Sequence, residues 1–381
     1  MRALRNLSLV SLPALLLTFA FLELVVLRLW VPVDDVPVER YDQPTGILRY
    51  RPNQQGVTYP DRDIRNPVPF TVNADGWNSI HPHYDPGPSG KLRVAVVGDS
   101  YVAAFEVAPR ASLAGQLEAL LGQDHAEVFA LGIRGAPLSE YLQIARYVVE
   151  KYRPDAVVIV IVHNDFDESY RLAPGRYTPA FLHLAVDGEN VEEIPPRPYH
   201  EPALETWVRT RSRTFRFLFY RLGLGSQQLR SLYGAAPGRP QQFEANVDVR
   251  GLAGEEEKMR RVAGYVFGQL ARLERSSGTR FVLLMDASRD AIYGGRDPRE
   301  TRAYVMNRIA AEASAGAGLT FVDLTSEFER DYRGHHLRFE FPHDGHWNAR
   351  AQALAAREAC RALRTRLGEA RIECGGEGSG R

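Results

Sequence analysis

The stretch Leu92–Ser100, with the sequence LRVAVVGDS, constrains the fold more than any other part of the chain. Val94–Val97 is a short, charge-free run of mainly β-branched residues, which is typical of a buried parallel strand. Gly98 ends this run, and Asp99 and Ser100 follow at once. Doubly wound sheets place their ligands just beyond the carboxyl ends of the strands. We therefore expect Ser100 to lie at the functional edge of such a sheet.

After this stretch the chain alternates between strand-like and helix-like segments. Further strands are predicted at Glu127–Leu131, Ala156–Val162, Arg280–Met285 and Leu319–Leu324. Helices are predicted at Leu113–Leu121, Leu138–Tyr152, Glu255–Arg275, Glu300–Ala315 and Ala349–Leu367. This alternation predicts parallel pairing with right-handed crossovers. A segment rich in proline and arginine, Phe166–Gly251, interrupts it.

The N-terminal part of the chain is suited to a membrane. Leu7–Trp30 is almost wholly apolar, with only Glu23 and Arg28 charged, and it is long enough to cross a bilayer as a helix. Two arginines precede it, which favours a cytoplasmic N-terminus and places the rest of the chain outside the cytoplasm. A cleaved signal peptide is the alternative, with a small-residue site at Thr18–Ala20. The apolar run continues past that site, so we expect an uncleaved anchor.

We expect four segments. Residues 1–32 form the anchor, and residues 33–90, which are rich in proline, form a stalk and a small β-rich cap. Residues 91–370 form the β/α domain, with an insertion at about 166–251, and residues 371–381 form a flexible tail.

One part of the insertion, Glu205–Leu222, mixes aromatic residues with arginines. It has two interpretations. It is either a basic helix on an anionic membrane surface, or an insertion helix that packs its aromatic residues on the main domain and solvates its arginines.

Composition excludes some partners and leaves the state of the cysteines open. The formal net charge is zero, which gives no indication of nucleic-acid binding. Cys360 and Cys374 are the only cysteines, too few for a zinc site. Outside the cytoplasm they could form a disulfide, and two free thiols are the alternative.

Four places follow predicted strands and should meet at one edge of the sheet. They are Ser100, the turn Gly132–Gly135, Asn164 and the loop Asp344–His346. Ser100 is a candidate nucleophile, His346 its base and Asp344 the residue that orients the imidazole. The backbone N–H groups of Ser100 and Gly135 and the side-chain amide of Asn164 are candidate oxyanion donors. With an unperturbed base, activity should have an acidic midpoint near about pH 6.5.

Each candidate also has a purely structural interpretation. Ser100 is a candidate helix N-cap, Asn164 a turn cap and His346 a loop residue bonded to backbone. Asp286 also ends a predicted strand and is a rival carboxylate, while His163 adjoins Asn164 and could touch substrate.

Other candidate sites have less support. The remaining histidines of interest are expected to be structural or exposed: His335, His336 and His343. A metal site built from His343, Asp344 and His346 has no further ligand spacing to support it. No G-x-G-x-x-G follows the first strand, which argues against a nucleotide or flavin site.

These motifs, taken in order, resemble those of the SGNH (GDSL-type) hydrolases. Gly98-Asp99-Ser100 is similar to their first motif, Gly135 to the glycine of their second, and Asn164-Asp165 to their third. Asp344 and His346 match the closing acid and base. Two departures are Val162, where the family often has glycine, and the spacing of Asp344 and His346, two apart instead of three. The closer spacing occurs in membrane-anchored and polysaccharide-modifying relatives.

The resemblance implies a flavodoxin-like three-layer α/β/α fold with a central parallel sheet. It implies a serine esterase or O-acyltransferase without a cofactor or metal. With the anchor, this predicts a single-pass membrane protein with a periplasmic domain that acts on acyl, in particular acetyl, esters of an envelope or exported glycan. Its expected partners are an acylated carbohydrate or other small ester and the membrane, not nucleic acid. The alternative is a non-catalytic binding or scaffold protein of an envelope or polysaccharide assembly that retains the fold.

Overall fold

The computed structural model of the protein describes residues 7–61, 63–87, 89–171, 178–222, 243–245, 247–249, 251, 254–369 and 371–375. The strands, in chain order, are β1 Glu39–Asp42, β2 Ile47–Tyr50, β3 Gln55–Thr58, β4 Val68–Thr71, β5 Leu92–Gly98, β6 Ala126–Gly132, β7 Ala156–Ile161, β8 His183–Asp187, β9 Asn190–Ile194, β10 Phe243–Glu244, β11 Val247–Asp248, β12 Arg280–Met285, β13 Thr320–Asp323, β14 Glu340–Phe341 and β15 Asp344–Trp347. The α-helices are α1 Leu12–Phe21, α2 Ser100–Ala103, α3 Leu113–Leu121, α4 Leu138–Tyr152, α5 Asp165–Glu168, α6 Ala203–Arg211, α7 Arg213–Arg216, α8 Glu256–Ser277, α9 Arg289–Tyr293, α10 Val305–Ala317, α11 Thr325–His335 and α12 Ala349–Leu367.

Five of these strands form a parallel sheet in the order β13-β12-β7-β5-β6. Counted along the chain, this is the flavodoxin-like order 2-1-3-4-5, and its switch point lies between β5 and β7. The predicted fold class, a flavodoxin-like α/β sheet, is therefore confirmed. The carboxyl end of β5, where Ser100 follows, lies at that switch point.

Helices cover both faces of the sheet, because its strands are apolar on both sides. Along β5, Ala95 and Val97 belong to the core that contains residues of α4, α8 and α10. Val94 and Val96 belong to the core on the opposite face, with residues of α3 and α12. The alternation follows the two-residue period of a strand. The sheet is thus the middle of three layers.

The N-terminal residues include a long apolar helix, Leu9–Trp30, of which α1 is the central part. It is long and apolar enough to cross a membrane, and none of its 18-residue apolar stretch is buried inside the rest of the protein. Leu17, for example, is 72% exposed. Membrane anchoring by this helix stays a prediction beyond that finding.

The proline-rich residues that follow form two antiparallel hairpins, β1–β2 and β3–β4. Phe70 contacts Phe105 edge-on at 5.0 Å between ring centroids. Tyr84 stacks on Phe129 of β6 at 4.3 Å. The hairpins therefore share a core with one face of the sheet. The division of the chain at residues 32, 90 and 370 stays a prediction.

The insertion after β7 contributes the hairpin β8–β9, the helices α6 and α7 and the short pair β10–β11. A short π-helical segment, Phe217–Arg221, continues α7. Residues 223–242 of the predicted insertion and residues 376–381 of the predicted tail lie outside the described residues. Near the C-terminus a disulfide joins Cys360 of α12 to Cys374, with 6.0 Å between the Cα atoms.

Candidate active site

Ser100 occupies the first position of α2, directly after β5. The cap of this short helix is the neighbouring Asp99, whose Oδ1 accepts a hydrogen bond from the Tyr101 backbone N–H at 2.9 Å. The interpretation of Ser100 as a helix N-cap is therefore wrong, because Asp99 fills that role. The Ser100 hydroxyl is left to interact with other groups.

The imidazole of His346 connects Ser100 to Asp344. Its Nε2 lies 2.8 Å from the Ser100 Oγ, and its Nδ1 lies 2.5 Å from the Asp344 Oδ1. The same carboxylate oxygen accepts the His346 backbone N–H at 2.9 Å. The structure thus brings together three predicted site residues that are up to 246 positions apart. Their roles in chemistry stay a prediction.

The rival carboxylate, Asp286, has a different partner. Its Oδ1 accepts a hydrogen bond from the indole Nε1 of Trp347 at 2.9 Å, and Trp347 is buried. Arg289 lies 3.5 Å from the other oxygen of Asp286. Asp344 and His346, which were predicted in a loop, lie in the short strand β15. Asp286 supports this strand through Trp347, while Asp344 contacts the imidazole ring itself.

Arg289 holds the strand β15 in place through two hydrogen bonds. Its guanidinium donates to the backbone carbonyl of Gly345 at 2.9 Å and to the Tyr101 hydroxyl at 2.8 Å. The Tyr101 hydroxyl also donates to the Gly345 carbonyl, at 3.1 Å. These bonds tie the residue before His346 to α2, which begins with Ser100. This buried network holds the strand that carries His346 against the helix that begins with Ser100.

A second carboxylate, Glu106, approaches His346 and is not among the residues predicted from the sequence. Glu106 is only 5% exposed, and its Oε1 lies 3.9 Å from the His346 Nδ1. The same oxygen accepts a hydrogen bond from Arg134 at 2.8 Å. The signal that could have found it is a single acid within the apolar run Val102–Val107, VAAFEV.

These charges change the pKa of the groups around the nucleophile. Burial lowers the pKa of His346, but the Glu106 and Asp344 carboxylates outweigh it and raise the pKa to about 9. Burial raises the pKa of Asp344, and its hydrogen bond to His346 reverses this, leaving the pKa below its usual range. Burial raises the pKa of Asp99 to about 6, against the hydrogen bond from Tyr101. The expected base midpoint near pH 6.5 therefore moves to a higher pH.

The candidate oxyanion donors follow the two strands that flank β5. Gly135 lies in the turn after β6 and has a φ of +72°, a conformation that favours glycine. Gly132 ends β6, and a Cβ there would lie 2.0 Å from the Ala103 backbone nitrogen. Glycine at position 132 therefore lets this turn approach α2 closely.

Asn164 follows β7 on the other side of Ser100. Burial raises the pKa of Glu168 to about 7, and a hydrogen bond from the Asn164 side chain opposes this rise. Because a primary amide carries two N–H donors, the contact with Glu168 does not exhaust Asn164. Its role as an oxyanion donor stays a prediction.

Of the other histidines, His343 lines the cavity beside Asp344, and His163, His335 and His336 lie apart from the contact between Ser100 and His346. His163 is buried, and its Nε2 lies 2.9 Å from the Asn307 Oδ1, which indicates a structural role. Burial lowers the pKa of His163 and keeps it neutral. His335 and His336 are exposed near the end of α11.

A small cavity of about 180 Å³ lies beside the candidate site. Asp344 and Glu106 form one part of its lining, and the other part comes from the N-terminal segment and the insertion, including Asp35, Tyr59 and Tyr220. A larger cavity of about 610 Å³ lies between α8 and α10, and no histidine is among its described lining residues. Neither Ser100 nor His346 is among the described lining residues of either cavity, and the smaller cavity meets the site at Asp344 and Glu106.

One potential metal-ligand atom from each of Glu106, Asp344 and His346 lies within 4.8 Å of the others. Asp344 is bonded to the His346 ring and Glu106 to Arg134. We assign these contacts to the arrangement around the imidazole.

For the whole chain, similarity to known proteins is found among solved structures. No protein-family model matches it, and the comparison with curated proteins finds no match. Similar solved structures include LAE5, an alpha/beta hydrolase enzyme from the metagenome of Lake Arreo, at 14% identity and a TM-score of 0.39, covering 73% of this chain and 96% of that one. The acetyl xylan esterase AlAXEase is 13% identical at a TM-score of 0.39, covering 71% and 100%. The lipase/acylhydrolase from Enterococcus faecalis is 13% identical at a TM-score of 0.36, covering 72% and 96%.

Proposed function

We propose that this protein is a membrane-anchored, extracytoplasmic serine esterase or O-acyltransferase. One observation carries the proposal: the continuous contact from the Ser100 Oγ through the His346 imidazole to Asp344, at 2.8 and 2.5 Å. A serine hydroxyl is a weak nucleophile unless a base accepts its proton. This geometry supplies that base and orients it.

The reaction has two halves. In the first, the Ser100 Oγ attacks the carbonyl carbon of the ester while the His346 Nε2 takes the hydroxyl proton. The tetrahedral intermediate then collapses, the bond from carbon to the alcohol oxygen breaks, and His346 returns the proton to the leaving alcohol. In the second half, water or a glycan hydroxyl gives its proton to His346 and attacks the carbonyl carbon of the acyl-serine. The bond from that carbon to the Ser100 Oγ then breaks, and His346 returns the proton to Ser100. Water gives hydrolysis and a glycan hydroxyl gives acyl transfer.

The intermediate carries a negative oxygen that needs donors. We assign the backbone N–H groups of Ser100 and Gly135 and the amide of Asn164 to this task. The assignment rests on their place at the ends of β5, β6 and β7, which are neighbours in the sheet. Asp344 remains ionised, because its pKa lies below the usual range, and stabilises the imidazolium that forms.

The cavity beside Asp344 supports a polar substrate. Its volume is about 180 Å³, and it meets the site at Asp344 and Glu106. Its lining includes Asp35, Thr58 and Arg134, which suit hydroxyl groups better than a long hydrocarbon chain. We propose an acetylated or similarly acylated glycan of the envelope or of an exported polysaccharide as the substrate.

The proposed compartment rests on two other features. The apolar helix Leu9–Trp30 is suited to an anchor. The Cys360–Cys374 disulfide is typical of proteins in oxidising compartments such as the periplasm. Mass spectrometry after thiol alkylation, with and without reductant, measures whether the disulfide forms in the purified protein.

The decisive experiment is labelling of the full chain by a serine-directed fluorophosphonate, together with acetate release from an aryl acetate. We expect wild type to react and Ser100→Ala to be inert. Ser277→Ala, an exposed serine at the opposite edge of the sheet, is the matched control and should react like wild type. Equal labelling of wild type and Ser100→Ala refutes the serine mechanism. No labelling of a folded wild-type chain favours the scaffold alternative.

A further inference from the structure

The helices α6 and α7, with the turns to Arg221, form a surface that we call the aromatic helix pair, residues 203–221. Two of its arginines are buried against the domain, while large apolar residues face outward. Arg209 and Arg216 are each 5% exposed, whereas Leu204 is 73% and Trp207 is 59% exposed. The interpretation in which the aromatic residues cover the domain and the arginines face water is therefore wrong for these residues. The pair presents large apolar side chains outward.

Ion pairs of two buried arginines hold the aromatic helix pair in this orientation. Arg209 contacts Glu39 of β1 at 2.9 Å and Glu201 at 3.0 Å. Arg216 contacts Asp35 at 2.5 Å. Buried, paired charges are costly to separate, since removing one partner leaves the other unpaired. The outward face is thus fixed by the contacts on the inward face.

The same surface is joined to the apolar helix Leu9–Trp30. The carboxylate of Glu23 accepts hydrogen bonds from the backbone N–H groups of Arg213 and Thr214, both at 2.7 Å. Arg213 in turn donates to the Leu27 carbonyl at 3.1 Å. An acid inside an apolar helix is costly in a membrane unless it is paired. Here the first turn of α7 satisfies it.

These contacts fix the depth of the aromatic helix pair relative to the apolar helix. Glu23 lies seven residues before Trp30, which corresponds to about 10 Å along a helix axis. If the apolar helix crosses a bilayer and reaches its surface at Trp30, the start of α7 lies deeper in the membrane than Trp30. Leu218 and Tyr220 lie in the segment Phe217–Arg221, which continues α7, and their side chains are exposed.

We propose that the aromatic helix pair lies in the lipid–water interface of the membrane that the apolar helix spans. The occupant of its outward face is the bilayer, because the apolar helix holds the pair at that depth through Glu23 and Leu27. Tryptophan and tyrosine prefer this interface, and the pair exposes Trp207 and Tyr220. Tyr220 also lines the cavity beside Asp344, so the pair holds that cavity at the membrane surface.

The test uses the full chain in nanodiscs, with single cysteines labelled by an environment-sensitive fluorophore. The native cysteines are joined in a disulfide, so the introduced thiol is the target. Leu204→Cys and Leu218→Cys report on the aromatic helix pair, and Leu16→Cys reports on the apolar helix. Ser276→Cys, exposed at the amino-terminal edge of the sheet, is the matched control. Quenching by lipids that carry a spin label near the headgroup is measured for each.

We expect quenching at positions 204 and 218 to exceed that at position 276 by at least about threefold, as for side chains within the acyl boundary. Water-like emission at both positions, with quenching as weak as at 276, overturns the proposal. Blue-shifted emission without lipid quenching also overturns it and indicates that a second copy or another protein covers this face. Agreement between two positions on separate helices guards against local distortion by one substitution. None of these outcomes depends on catalysis by Ser100.

Discussion

Glu106 and Asp344 both face the Nδ1 of His346, at 3.9 and 2.5 Å. One imidazole therefore lies between two carboxylates on the side away from Ser100. Both favour the charged ring, and together they outweigh burial and raise the pKa of His346 to about 9. If His346 is the base that accepts the Ser100 proton, it must be neutral to do so, and this arrangement predicts activity at alkaline pH.

The first prediction concerns the pH profile of wild type. We expect kcat/KM for a neutral aryl acetate to rise with pH to a midpoint near about 9, the pKa of His346. At pH 7 only about 1% of the free enzyme would then carry the neutral base. The measurement spans pH 6 to 10.5, with Ser100→Ala as the blank for uncatalysed hydrolysis. A profile already flat at pH 8 contradicts the raised pKa.

The second prediction separates Glu106 from Asp344. Glu106→Gln should move the midpoint of kcat/KM to lower pH, because it removes a negative charge near the His346 Nδ1 and leaves the positive Arg134 in place. Activity at pH 7 should rise if the proton relay is otherwise intact. The matched control is Glu274→Gln, a buried glutamate bonded to the Phe281 N–H at the other edge of the sheet. An unchanged midpoint in Glu106→Gln assigns Glu106 to the Arg134 pair alone.

The third prediction concerns the oxyanion. Asn164→Ala should lower kcat by about 10²–10³-fold with little change in KM, as expected for the loss of one donor that acts in the transition state. Steady-state kinetics on the aryl acetate measure both constants. A rise in KM at constant kcat would make Asn164 a substrate ligand. No change in either constant would leave it as the partner of Glu168 only.

The sequence predicts the sheet and much of the candidate site because both depend on local patterns. Runs such as Val94–Val97 indicate strands without reference to the rest of the fold, and the doubly wound topology brings their ends together. Ser100 is found in this way, whereas Asp344 and His346 are found by their resemblance to a closing acid and base and lie in β15, after α11. Glu106 is not, because its closeness to His346 depends on how the chain after α2 folds back, and no spacing in the sequence encodes that path.

The surface of the insertion was harder to predict for a related reason. Between Glu205 and Leu222 the sequence shows aromatic residues and arginines, and ordinary solvation places arginines in water. Two of the arginines, Arg209 and Arg216, pair with acids that lie more than a hundred residues earlier in the chain, Glu39 and Asp35. Only the tertiary structure pairs these charges and turns the apolar side chains outward. The Cys360–Cys374 pairing likewise depended on a contact that composition leaves open.

The fourth prediction tests the close approach of β6 to α2. Gly132→Ala would place a Cβ 2.0 Å from the Ala103 backbone nitrogen, which is not free to move aside as a side chain is. We expect a loss of at least about 1–3 kcal/mol in the free energy of unfolding, the usual cost of overpacking. The matched control is Gly264→Ala in α8, where nothing lies within 4 Å. That change should stabilise by about 0.5–1 kcal/mol. Denaturant unfolding of the full chain in detergent compares the two, and equal stability contradicts the packing argument.

The last prediction concerns Ser100 and His346 as a unit. Their side chains meet at 2.8 Å, so each is useless for this chemistry without the other. Ser100→Ala and His346→Ala should each lower kcat/KM by about 10³-fold or more, and the double variant should lose little beyond either one. Asp344→Asn should cost less than Ser100→Ala if Asp344 only orients and stabilises the ring. Additive losses in the double variant would show that the two residues act separately, in which case the contact between them is structural and another group activates the nucleophile.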